Sequence, residues 1–403
     1  MGEVIATQRV STIEYAIRDI VVHANQVAKA GKKIHYLNIG DPVAFDFDTP
    51  KHVKLALTRA VQRGENAYTQ SEGLPELREA ISNKERTVNK VRIFPHDVVV
   101  TSGISEGIQM VMAALINQND ELLVPEPTYP PYVSYTKFFG GVPVPYEAIE
   151  QEDWKPNIDD LRSKVSDRTK GILIVNPSNP CGSLWDEKTL RHILNLAGEY
   201  SLPVISDEIY DRIVYDKKFV STASLTEDVP VIGLNGFSKA YLMTGWRLGY
   251  VYFRDQQERL KQLREGIDKQ TRIRLCANTP VQRAGVAALN GPQGHIKTLL
   301  QKLRIRRDYA WKRMNEIKGV SCSKPEAAFY IFPKIHSVGS TWKTDLDFVL
   351  DLLRQTGVLL VQGSGFGSIY GAGHARAVIL PPIESLEQAL NEIDRFMTCK
   401  ARE

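Results

Sequence analysis

The 403-residue sequence predicts an α/β protein, with a mainly parallel seven-stranded sheet flanked by helices in a large domain and a smaller α+β domain after it. Three observations lead there. Between about residues 97 and 253, short β-branched runs alternate with amphipathic stretches, the pattern of strands covered by helices. Beyond residue 295 the texture changes to a long charged helix and a few short strands and helices. The composition, 43% hydrophobic and 24% charged, is ordinary for a globular protein, and the length favours two domains.

In chain order, residues 1–48 hold a helical pattern and then "YLNIGDP", a strand running into a turn. They are expected to pack with the small domain. The large domain, residues 49–295, takes its strands from "DVVVT" (97–101), "ELLVP" (121–125), "VPVPY" (142–146), "GILIVN" (171–176), "PVIS" (203–206), "VIGL" (231–234) and "LGYVYF" (248–253). Helices between them include "SEGIQMVMAALI" and "EKTLRHILNLAGEY", whose apolar residues recur at three- and four-residue spacing. The small domain, residues 296–403, is led by the helix "HIKTLLQKLRIRRDYAWKRMNEI".

Charge and cysteine usage exclude several functions. The 51 basic and 47 acidic residues are spread along the chain with no polybasic arm, so neither nucleic acid nor a membrane surface is an implied partner. Cys181, Cys276, Cys322 and Cys399 lie far apart, which argues against a disulfide framework and a zinc site. The N-terminal stretch is too polar for a signal peptide and no apolar run is long enough to span a bilayer. A cytoplasmic protein with no metal is the expectation.

Ligands of open α/β sheets collect at the carboxyl ends of the parallel strands. After "VVVT", the turn "SGIS" leads into a helix whose free N–H groups suit a phosphate; it also reads as an N-cap at Ser102 or Ser105. After "GILIVN", two Asn-Pro pairs in "NPSNPCGS" (176–183) shape a loop in which Asn179 offers donor and acceptor, although a plain turn accounts for the dipeptides too. The strand "PVIS" runs into Asp207, a costly acid to bury without a cation unless it caps a helix. Finally "VIGLNGF" delivers Ser238 and Lys239, with Arg247 eight residues later. A desolvated lysine forms Schiff bases with carbonyls, and an arginine fork holds phosphate. A phosphate cradle, an acid for a pyridinium, a Schiff-base lysine and a phosphate arginine, in this order, match pyridoxal 5'-phosphate.

The sequence also resembles a known family over nearly its whole length. "NPSNPCG", "SDEIY" and "SKAYLMTGWRLGY" look like the signatures of class I/II pyridoxal-phosphate aminotransferases of fold type I. "EYAIRD", "LNIGDP", "YTQSEGLPELREAI", "YPPY" and "GSGFGSIYGAGHARAVILPP" look like the archaeal and bacterial alanine aminotransferases. That resemblance implies that Lys239 holds the cofactor as a Schiff base and Asp207 pairs with its ring nitrogen. Asn179 and Tyr210 would bond the ring 3'-oxygen and Tyr129 would stack on the ring. Gly103, Ile104, Ser105, Ser238 and Arg247 would hold the phosphate, joined by Tyr68 of a neighbouring subunit in a homodimer with shared sites. Arg376 and Asn179 would bind the substrate α-carboxylate, and Gly40 is where the backbone approaches the substrate. The implied reaction passes the amino group of L-alanine to 2-oxoglutarate by a ping-pong route. An aspartate or broad-specificity aminotransferase is the alternative, for which Arg18, Arg272 and Arg274 are available cations. Two departures stand out: Cys181 replaces the usual threonine, as a packed thiol or a redox switch, and Gly236 replaces a frequent hydroxyl.

Overall fold

A computed structural model describes residues 3–11 and 13–400. Strands β1 (Val98–Thr101), β2 (Glu121–Glu126), β3 (Val142–Ile149), β4 (Lys155–Pro156), β5 (Thr169–Val175), β6 (Val204–Asp207), β7 (Val231–Gly236) and β8 (Gly249–Arg254) form one sheet in the order β1-β8-β7-β6-β5-β2-β3-β4. β7, β6, β5, β2 and β3 are mutually parallel, whereas β8 runs against β1 and β7. All seven expected strands are present. The eighth, β4, is a two-residue antiparallel addition to the edge strand β3. Its sequence "KP" carries no alternation, so only the backbone pairing of Ala148 with Pro156 and of Ile149 with Lys155 makes it a strand.

Both faces of this sheet are covered, which explains why its strands read as nearly continuous apolar runs. Val98, Val100, Ile172, Ile174, Val204 and Val231 face one helical layer. Their alternates Val99, Leu173, Ile205 and Ile232 face the other, where helix Ile104–Leu115 packs through Ile108 and Val111. One consequence governs the site: the carboxyl ends of β1, β2, β5, β6 and β7 meet at one edge. They deliver Gly103, Tyr129, Asn179, Asp207 and Lys239 from the loops or strand ends there.

A third core joins the two ends of the chain. Ile20, Ala24 and Leu37 pack with Leu299, Leu303, Phe348 and Leu352. Strand His35–Tyr36 pairs in parallel with Val358–Leu359. A separate three-stranded sheet, Tyr330–Ile331, Ala375–Val378 and Val361–Gln362, carries Arg376 in its central strand. Among the described residues no helix is long and apolar enough to cross a membrane, and no cluster of His, Cys, Asp and Glu could hold a metal ion.

Candidate active site

A cleft of about 480 Å³ opens at the carboxyl edge of the large sheet. Gly40, Ile104, Ser105, Tyr129, Asn179, Asp207, Tyr210, Ser238, Lys239, Arg247 and Arg376 all line it, although they come from points spread over more than three hundred residues of sequence. Gly103 lies directly behind Arg247. Tyr68 does not line the cleft of its own chain and is 80% exposed.

The helix Ile104–Leu115 starts at Gly103 with no side chain capping it, so its first N–H groups face the cleft without a side-chain acceptor. The alternative reading of that turn, an N-cap at Ser102 or Ser105, does not form. Gly103 has a φ of +77°, and a Cβ there would overlap the Arg247 guanidinium. The glycine therefore solves two problems: it takes a left-handed turn, and it lets a cation lie against a helix N-terminus. Arg247 is itself left-handed (φ 55°), braced by a 2.9 Å bond to the Thr244 carbonyl, and its other nitrogen lies 3.5 Å from the Ser105 hydroxyl. Cation, hydroxyl and helix terminus make an anion cradle.

Asp207 ends β6 and is 2% exposed. Its carboxylate accepts from the Tyr132 hydroxyl at 2.8 Å and from the Ile209 N–H at 3.1 Å. No helix follows, so it is not an N-cap. Among the described residues no cation is salt-bridged to it, and burial raises its pKa to about 6 despite those two donors and the charge of Lys239. A buried acid of this kind is stabilised by a cation that enters the cleft.

Lys239 follows β7 and donates to the Gly40 carbonyl at 2.6 Å. Burial lowers its pKa to about 8; Arg376 and Arg247 push the same way, and Asp41 and Asp207 oppose. Its amine is thus far easier to deprotonate than a surface lysine. A Cβ on Gly40 would overlap the Tyr330 hydroxyl, which is bonded at 2.7 Å to that of Tyr210.

Arg376 is 1% exposed, and among the described residues no carboxylate pairs with it. One nitrogen donates to Asn179 Oδ1 at 2.8 Å and another to the Asn38 carbonyl, while Nε has no partner. The guanidinium carbon lies 4.5 Å from the Tyr330 ring centre and 4.8 Å from that of Phe366. Packed against two rings, it is held in place with its charge available for an anion.

Sequence reading had not singled out Tyr15, Asp41, Tyr132, Thr244 or Tyr330. Tyr15 and Asp41 lie inside the quoted segments "EYAIRD" and "LNIGDP", so their neighbourhood was legible though their contacts were not. Of the three candidate side-chain cations, Arg18 lines the cleft. Arg274 is instead paired with Glu106 at 2.7 Å, and Arg272 donates to the Asp268 carbonyl of its own helix. Cys181 is 5% exposed with its thiol pushed well up by burial, as expected of a packed thiol.

The family model described as aminotransferase class I and II matches residues 32–393. The glutamate-pyruvate aminotransferase AlaA of Escherichia coli (strain K12) is 36% identical over 402 residues, covering 99% of each chain. A probable aspartate aminotransferase of Methanocaldococcus jannaschii is 35% identical, over 89% of this chain and 92% of that protein. Among solved structures, an alanine aminotransferase from Pyrococcus furiosus superposes with a TM-score of 0.95 at 55% identity, covering 98% of this chain and 100% of that one.

Proposed function

The chain belongs to the class I and II aminotransferases, and from that premise we propose that it is an alanine aminotransferase using pyridoxal 5'-phosphate and passing the amino group of L-alanine to 2-oxoglutarate. The observation that carries the cofactor reading is Asp207, a buried acid with hydrogen bonds but no salt bridge among the described residues, on the same cleft as an anion cradle and a lysine of lowered pKa. A protonated pyridine answers the acid, a phosphate answers the cradle and an aldehyde answers the amine. When bound, the cofactor supplies an electron-withdrawing ring and carries the amino group between half-reactions.

The chain's own residues divide the work. Asp207 keeps the ring nitrogen protonated. Gly103, Ile104, Ser105, Ser238 and Arg247 hold the phosphate. Asn179 and Tyr210 address the 3'-oxygen, and Tyr129 covers the ring face. Arg376, with Asn179 beside it, fixes the α-carboxylate and so decides which Cα bond is weakened. Lys239 Nζ then moves the Cα proton as base and acid. Tyr68, exposed in one chain, is assigned to the phosphate of a partner copy, which makes the active form a homodimer.

Arg18 lines the cleft with no salt-bridge partner among the described residues and is assigned to the second carboxylate of glutamate and 2-oxoglutarate. That same cation would serve aspartate, which keeps an aspartate or broad-range enzyme as the second reading. We further read residues 49–295 and 296–403 as the two domains, with 1–48 attached to the second. All four cysteines are free, which supports a reducing cytoplasm.

Mixing the cofactor-loaded protein with single amino acids tests the reading, following absorbance as the pyridoxal form is consumed. Alanine and glutamate should convert it fastest. Faster conversion by aspartate than by alanine would install the second reading. If Lys239→Ala develops the same absorbance as the parent on adding cofactor, the cofactor reading fails.

A further inference from the structure

The glycine-rich segment "GSGFGSIYG" (363–371) is explained by none of the roles above. In the fold it wraps one side chain from the large sheet, more than two hundred residues earlier in the chain. Glu126, the last residue of β2, is 6% exposed, and its carboxylate accepts from the N–H of Ile369 at 2.5 Å and of Tyr370 at 3.0 Å. A Cβ on Gly367 would overlap the Glu126 side chain, so the glycine is there to admit it. A second stitch lies beside it: the Thr128 N–H donates to the Phe366 carbonyl at 2.8 Å. Burial raises the pKa of Glu126, while the loop N–H groups and Lys164 offset part of that rise.

What the clasp joins is informative. On one side, Glu126 stands three residues before Tyr129. On the other, the captured loop contains Phe366, whose ring lies 4.8 Å from the Arg376 guanidinium carbon and which belongs to the same apolar cluster that Tyr129 packs against. Buried acids without a cation are kept only where backbone donors hold them, and a single acceptor shared by successive N–H groups fixes a loop's position closely.

We propose that Glu126 is a positioning residue for the carboxylate clamp: by seating the 363–371 loop it sets Phe366, and through it Arg376, against the Tyr129 side of the cleft. This rests on the assignment of Arg376 to the substrate α-carboxylate. The test must therefore separate the two.

The measurement is affinity of the cofactor-loaded dimer for 2-methylalanine, which has the carboxylate but no Cα–H to lose, and for isopropylamine, which lacks the carboxylate; both are read by absorbance titration. Glu126→Ala should weaken 2-methylalanine about tenfold, the scale of lost charge-assisted hydrogen bonds, and leave isopropylamine unchanged. Gly367→Ala, which expels the carboxylate from the loop, should do the same, whereas Glu126→Gln keeps an acceptor and should stay near the parent. Arg376→Ala should erase the preference for the carboxylate-bearing ligand. If it does so while Glu126→Ala and Gly367→Ala leave the preference intact, the positioning role is overturned and the clamp stands. If Arg376→Ala leaves the preference intact, the clamp itself is wrong. Equal weakening of both ligands, or a changed cofactor absorbance in the Glu126 variants, would mean general loosening and would also overturn the role. Should Glu126→Ala not fold, Glu126→Gln and Gly367→Ala decide.

Discussion

Lys239 Nζ donates a 2.6 Å hydrogen bond to the carbonyl of Gly40, 199 residues earlier in the chain. This bond ties the reactive amine to the turn that follows the N-terminal strand. Gly40 in turn abuts the Tyr330 hydroxyl, and Tyr330 is bonded to Tyr210. Gly40→Ala therefore displaces three groups of the cleft at once. Turnover with alanine and 2-oxoglutarate should fall by about 10²-fold, the scale of a misplacement near 1 Å. Cofactor absorbance should persist. An alanine variant with parental turnover would show that the close approach is incidental.

Gly103 and Arg247 give a second prediction. A Cβ at 103 strains a φ of +77° and overlaps the guanidinium, so Gly103→Ala moves the cation off the helix N-terminus. Affinity for the cofactor should drop at least about tenfold, as expected when an arginine–phosphate contact is lost. Ser105→Ala should cost less, since the serine hydroxyl sits 3.5 Å from Arg247 and the backbone donors remain. Titrating cofactor-free protein by fluorescence quenching ranks the two variants, and the reverse ranking would remove Gly103 from the cradle.

These two pairs also show what is legible in a sequence. Most of the seven main strands were readable because they are buried on both faces and so are largely apolar; Val98, Val99 and Val100 are all buried, whereas β3 is only partly so. β4 was not, since two residues carry no period. Residues at strand ends, Asp207, Lys239 and Asn179, could be found because topology alone places them on one edge. Their supporting partners could not. Tyr132 reaches Asp207 from the helix Pro130–Phe138, and Tyr330 reaches Tyr210 across 120 positions, contacts that depend on packing angles no local pattern encodes. The alternative N-cap at Ser102 or Ser105 is absent for a related reason: the turn needs a left-handed residue at the cap, and Gly103 supplies it.

Asp207 links the site to stability. Its folded pKa of about 6 lies above the ordinary carboxylate value near 3.9, so the cofactor-free fold binds this proton more tightly than the unfolded chain does. The group's contribution is therefore most favourable at low pH and is lost as pH rises through about 6. Asp207→Asn removes the titration; its Oδ1 can still accept from the Ile209 N–H, and its Nδ2, at the other oxygen's place, can donate to the Tyr132 hydroxyl. Without cofactor, the variant should be more stable than the parent at about pH 8, by an order of 2–3 kcal/mol, and the gap should close toward about pH 4. Adding cofactor should reverse the order, because only the carboxylate stabilises a protonated ring. Urea unfolding across that range, with and without cofactor, checks both signs.

The last prediction concerns the amine itself. In the cofactor-free protein the rate at which Lys239 captures an aldehyde follows its neutral fraction, so the rate should climb through about pH 8 and then level. The neighbours set that midpoint in opposite senses. Arg376 and Arg247 lower it and Asp41 raises it. Asp41 accepts from the Thr244 hydroxyl at 2.7 Å and from the Val43 N–H at 3.1 Å, and an asparagine oxygen can take both, so Asp41→Asn removes charge while sparing the turn. Its midpoint should move below that of the parent, and Arg376→Gln should move it above. Single-turnover absorbance at saturating cofactor, from about pH 6 to about pH 10, reads all three curves on one scale. Coincident midpoints would mean that burial alone depresses the lysine and that the surrounding charges are screened from it. Opposite displacements would establish that the cleft tunes its base through Asp41 and Arg376, so that an anion arriving at Arg376, the residue proposed to bind the substrate carboxylate, raises the proton affinity of Lys239 at the moment a base is required.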